Sequence, residues 1–271
     1  SVTGVQTCAL PISDVALVSD AGRVRRQNED AALRIAEQSL TGHGAVDWSL
    51  VALADGMGGH RGGRLASQLA LHTLATSLTW QGANAALEGH APRWDDNASV
   101  VALLLAAVDE AHRAVAGLAD AGEERAPGCT LTAALLVDRR LFFAHVGDSR
   151  AYLLRDGRLE QLTRDDTWVQ GLVDGGDLTI EQARAHPSGH VLTQALGQPV
   201  ELRPMVGLRL MWPGDRLLLC SDGVTESLTD AALAELLGES RPPAEVAEAV
   251  VTAAIAAGSR DNVTAVVEDL S

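Results

Sequence analysis

Leu50-Val51-Ala52-Leu53-Ala54-Asp55-Gly56-Met57-Gly58-Gly59-His60 is an apolar run that ends in an aspartate and passes at once into glycine. A short apolar run bounded by turn residues suits a buried strand. Such a strand carries the Asp55 carboxylate to its end, and the glycines beyond let the backbone bend and a ligand or ion come close. A lone Asp-Gly pair is more often an ordinary turn. Here the chain repeats the arrangement, in His145-Val146-Gly147-Asp148-Ser149-Arg150, Leu219-Cys220-Ser221-Asp222-Gly223 and Ser259-Arg260-Asp261-Asn262, with Asn28-Glu29-Asp30 as a fifth acidic point. Carboxylate oxygens gathered without thiolates or a regular histidine set suit hard cations such as Mg²⁺ or Mn²⁺.

The composition narrows the chemistry. The 271 residues are 46% hydrophobic and 21% charged, which describes a globular chain able to bury a core. The longest apolar runs, such as residues 100–108, are too short to span a bilayer. A net charge of −15 argues against a nucleic-acid partner, because phosphate backbones select basic faces. No lysine occurs anywhere, so a P-loop lysine, a kinase strand lysine and a Schiff base are all excluded. Arginine remains for bidentate phosphate contacts. Three cysteines without metal-type spacing suit a reducing cytoplasm, where the chain is expected to act as a monomer.

Residues 2–12 resemble the translation of a sequencing adapter, so residues 1–12 are expected to be non-native and residues 13–271 to form a single domain. A secretory signal is the alternative, but the segment lacks a positive n-region.

Further strands are expected over residues 14–19, 31–35, 129–137, 140–146, 150–155, 158–162, 215–221 and 263–267, with Asp156-Gly157 as a hairpin turn. Residues 41–47 read as a loop and 80–97 as a linker. Helical spacing marks 64–78 and 99–121; Thr229 is placed to cap a helix to 237, and Pro243 to open one to 257. Residues 163–206 read as a loop-rich insert with short helices. Runs of strands and runs of helices without regular alternation imply an α+β fold.

In order and spacing, Arg25-Arg26-Gln27-Asn28-Glu29-Asp30, Asp55-Gly56-Met57-Gly58-Gly59-His60, Gly147-Asp148-Ser149-Arg150, Ser221-Asp222-Gly223 and Asp261-Asn262 resemble the motifs of the bacterial metal-dependent protein phosphatases (PPM, or type 2C). The resemblance covers nearly the whole chain from Asp14. It implies a four-layer αββα sandwich of two antiparallel sheets flanked by helices, with a flap over about 163–202. It also implies two core Mn²⁺ or Mg²⁺ ions and a third. Asp55 would bridge the core ions with the Gly56 carbonyl beside it; Asp222 and Asp261 would complete the first site. Asp30, with Glu29 as a weaker candidate, would serve the second, and Asp148 with Asp222 the third. Arg25 matches the phosphate-gripping arginine, ahead of Arg23 and Arg26. His60 is a candidate general acid and equally a surface histidine. The implied reaction is hydrolysis of phosphoserine and phosphothreonine in proteins by a metal-bridged hydroxide, opposing a bacterial kinase.

Departures from the family pattern fall at Arg64, at Asp165-Asp166-Thr167, where a His-Ser pair is common, and at Gly189-His190, where Arg-Asn is common. They bear on substrate preference more than on catalysis. Two other readings stand beside the enzyme: a phosphoprotein-binding module without turnover, and a small-molecule phosphoesterase that differs in the flap.

Overall fold

The computed structural model describes residues 13–41, 44–58, 62–87, 93–119 and 126–270. The adapter-like segment lies outside them. The chain opens with β1 (Ser13–Asp20), β2 (Ala31–Thr41), β3 (Gly44–Ala54) and β4 (Gly56–Met57), then α1 (Gly62–Leu87) and α2 (Asn97–Ala116). Next come β5 (Gly128–Cys129), β6 (Leu131–Val137), β7 (Arg140–Val146), β8 (Arg150–Arg155) and β9 (Arg158–Gln161). The short helices α3 (Trp168–Asp174) and α4 (Ile180–Arg184) precede β10 (Met205–Leu210) and β11 (Arg216–Cys220). Helices α5 (Asp222–Thr225), α6 (Asp230–Leu237) and α7 (Pro243–Ala256) lead to β12 (Val263–Leu270).

Strands such as Leu-Thr-Ala-Ala-Leu-Leu-Val of β6 are buried at every position, so they need cover on both faces. Two five-stranded antiparallel sheets provide it, ordered β1-β12-β11-β8-β9 and β10-β7-β6-β3-β2. Side chains alternate across each strand. Leu50 and Ala52 of β3 face the α1/α2 layer, while Val51 and Leu53 face the opposite sheet. The same alternation sends Phe142 to the helices and Phe143 to the space between the sheets. In the other sheet, Leu218 and Cys220 of β11 pack under α7, and Leu217 and Leu219 turn inward. The result is the expected αββα order of layers.

Several boundaries differ from the sequence reading. Residue 41 and residues 44–47 are strand rather than loop: β2 and β3 pair antiparallel over their whole lengths, with Gln38 Nε2 donating to Asp47 Oδ1 at 2.7 Å and Trp48 Nε1 to Ser39 Oγ at 2.9 Å. Residues 80–87 are not linker but the last turns of α1, and α2 starts at Asn97, where the Asp96 carboxylate accepts from Ser99 N at 3.0 Å. Strand β10 starts at the end of the stretch read as insert and runs on to Leu210. Its Gly207 pairs with Phe143, and a Cβ there would lie 2.0 Å from the ring, so the glycine is what admits the phenylalanine. The Asp156-Gly157 hairpin is present, with φ of 50° and 74°.

Phe143→Ala should cost about 3–5 kcal/mol in urea unfolding, because it empties the layer between the sheets. Leu210→Ala, at an exposed position, should stay within about 0.5 kcal/mol. Equal effects would contradict the layer assignment.

Candidate metal centre

Antiparallel register brings the acidic motifs to one edge. Ala54 at the end of β3 pairs with Ala31 at the start of β2, and Val146 at the end of β7 with Leu131 at the start of β6. In the other sheet Cys220 at the end of β11 pairs with Ala265 near the start of β12. Asp30, Asp55, Asp148, Asp222 and Asp261 sit at or just beyond these ends.

Each carboxylate is fixed through its backbone or its neighbours. Asp55 N donates to Thr130 Oγ1 at 2.9 Å, and Asp55 O accepts from Thr130 N at 2.8 Å. Gly56 passes so close to α1 that a Cβ would lie 2.2 Å from the Gly63 carbonyl oxygen. Gly147, at φ +110°, makes the turn that presents Asp148. Asn262 clamps the loop before β2: its Oδ1 accepts from Glu29 N at 2.8 Å, and its Nδ2 donates to Ala21 O and Gln27 O, each at 3.0 Å.

A cavity of about 920 Å³ opens here, lined on one side by Arg25, Glu29, Asp55, Gly56, Asp148, Asp222 and Asp261, and on the other by His190, Leu192 and Thr193 of the flap. Asp30 lies against Asp55, buried, and raises its pKa. Among the described residues no three acid, histidine or cysteine groups form a finished metal-holding cluster. Asp261 is turned to Arg25, whose Nη2 donates to Oδ2 at 2.5 Å, while Asp261 Oδ1 accepts from Asn262 N.

Burial and mutual repulsion raise Asp30, Asp55, Asp148 and Asp222. Burial pushes Asp30 up to about 6, and burial with Asp165 pushes Asp148 up to about 7. Asp55 and Asp222 rise well above the ordinary carboxylate range, first through burial and then through their acidic neighbours. Asp30 Oδ1 and Asp222 Oδ1 are buried without a hydrogen-bond donor. A buried anionic oxygen with no donor calls for a proton or a cation. The all-oxygen donor set fits Mg²⁺ or Mn²⁺.

Sequence reading missed Glu226. It lies four residues after Asp222, and its charge raises both Asp222 and Asp148. That spacing, one helical turn past a ligand candidate, was the available signal. His60 and Gly59 lie outside the described residues. The unusual flap acids are spent on internal ties. Asp165 takes a bidentate pair from Arg150, with Nε at 2.8 Å from Oδ1 and Nη2 at 2.7 Å from Oδ2. Asp166 accepts from Gly147 N through Oδ2 at 3.1 Å, donates its own N–H to Gly147 O, and accepts from Thr193 N on its carbonyl.

Residues 27–256 match the family model described as Protein phosphatase 2C. Serine/threonine protein phosphatase PstP of Mycobacterium tuberculosis is 41% identical over 258 residues, an alignment that takes in 93% of this chain but 44% of PstP. The chain therefore spans less than half the length of that relative. Protein phosphatase PhpP of Streptococcus pneumoniae is 31% identical over 257 residues, covering 93% of this chain and 95% of PhpP. A crystal structure of the PstP catalytic domain in complex with two manganese ions matches with a TM-score of 0.75 at 38% identity, over 95% of this chain and 97% of that one. The chain belongs to the protein phosphatase 2C family.

Proposed function

We propose that this chain hydrolyses phosphoserine and phosphothreonine in proteins with Mn²⁺ or Mg²⁺, and that its substrates are the products of a bacterial Ser/Thr kinase. The carrying observation is the set of raised, donor-poor carboxylates around one cavity. The names and the manganese content of the similar proteins support the same reading.

Asp55, Asp222 and Asp261 would hold one core ion and Asp55 with Asp30 the other, with Gly56 and Glu29 alongside. Asp148 and Asp222, joined by Glu226, would hold a third. When bound, such ions acidify water and neutralise charge on a phosphoryl group. Arg25, half exposed at the mouth, would grip the phosphate oxygens. No helix among the described residues is long and apolar enough to cross a membrane, and we place the protein in the cytoplasm as a monomer. The general-acid role of His60 stays part of the proposal.

A phosphothreonine peptide should be hydrolysed with Mn²⁺ and not with excess chelator. Asp55→Asn and Asp222→Asn should each lower kcat by at least about 10²–10³, the scale of losing one transition-state electrostatic contact, with unchanged circular dichroism. Wild-type rates in either variant would remove that residue from the mechanism.

Burial, reinforced by the charge of Asp165, also predicts a pH dependence. Asp148 folded titrates at about 7, above its unfolded value of about 4, so the folded chain holds this proton more tightly. Its contribution to stability is therefore present at low pH and is lost as pH rises through about 7. Urea unfolding of metal-free wild type, compared with Asp148→Asn, should show this extra loss between about pH 4 and 7. Mn²⁺ at about 100 times its Kd should restore about 2.7 kcal/mol per site. A midpoint indifferent to Mn²⁺ would refute the metal assignment.

A further inference from the structure

Asp30 is held by one oxygen. Oδ2 accepts from Thr264 Oγ1 at 2.6 Å and from Ser221 Oγ at 2.8 Å, and both hydroxyl residues are fully buried. Thr264 spends its only hydroxyl proton on Asp30, so in its 2.7 Å contact with Ser19 Oγ it must accept. Ser19 in turn accepts from Asn28 Nδ2 at 2.7 Å, and Asn28 Oδ1 accepts from Asp30 N at 3.1 Å. The bonds close a ring that starts at the Asp30 amide and ends on its carboxylate. Ser221 Oγ also accepts from Thr264 N at 3.0 Å, which joins the strand leading to Asp222 to the strand following Asp261.

We propose that Thr264 and Ser221 are positioning residues for the second core cation: their hydroxyls fasten Oδ2 so that Oδ1 of Asp30 is left for the ion. The proposal rests on the metal role given to Asp30 above. Donors on one oxygen fix the rotamer and favour the charged form. Neither residue touches the ion's own ligand oxygen.

Calorimetric Mn²⁺ titration of the metal-free chain tests this, with circular dichroism of each variant alongside. Asp30→Asn should lose one bound ion. Thr264→Val, which keeps the shape and removes the hydroxyl, should weaken that same ion by about 10–100-fold, and Thr264→Ser should restore it. Ser221→Ala should weaken the same ion and carries the test if Thr264→Val does not fold. If Asp30→Asn loses an ion while Thr264→Val and Ser221→Ala bind as wild type, the positioning role is overturned. Equal loss in Thr264→Val and Thr264→Ser overturns it too, since the methyl packing would then be responsible. If Asp30→Asn binds as many ions as wild type, the metal role of Asp30 itself fails.

Discussion

Like charges held together in a poorly hydrated place govern this structure. Water would normally separate or solvate the carboxylates, but each one is attached to a strand end or turn that cannot move. Asp55 is tied to Thr130 by a reciprocal pair of bonds, and Asp148 stands on a turn that only a residue comfortable at positive φ can make. The two sheets are covered on both faces and behave as rigid mounts. Apart from Asp261, which pairs with Arg25, the acids relieve one another by taking up protons or by sharing cations.

The fold class was legible because its signals are local. Asp-Gly pairs marked strand ends, Asp156-Gly157 marked a hairpin, and Thr229 and Pro243 marked helix starts. Less legible were features set by partners distant in sequence. Strand β10 contains Gly207, which weakens any strand pattern, and the reason for that glycine is the ring of Phe143 on β7. The last turns of α1 contain glycine and asparagine, yet a helix already nucleated extends more readily than it starts. At the site, the ligand candidates were visible as motifs. The roles of Ser221 and Thr264 were not, because hydroxyl contacts to Asp30 across 191 and 234 residues leave no local trace.

A chain without lysine uses arginine as its structural tie. Arg216 reaches Asp269 with two nitrogens and the carbonyls of Leu237, Glu239 and Arg241, so it closes the end of α6 against the sheet. Arg155 joins β8 to Asp215 and to the carbonyl of Leu210. The planar fork of guanidinium makes two bonds where an ammonium makes a point contact.

Asp166 binds the Gly147 turn and Thr193 together, so both ends of the segment 167–192 are moored at a single point. The two ends of that segment and the turn that carries Asp148 are therefore one hydrogen-bonded unit, so that any displacement of Asp166 is felt at both together.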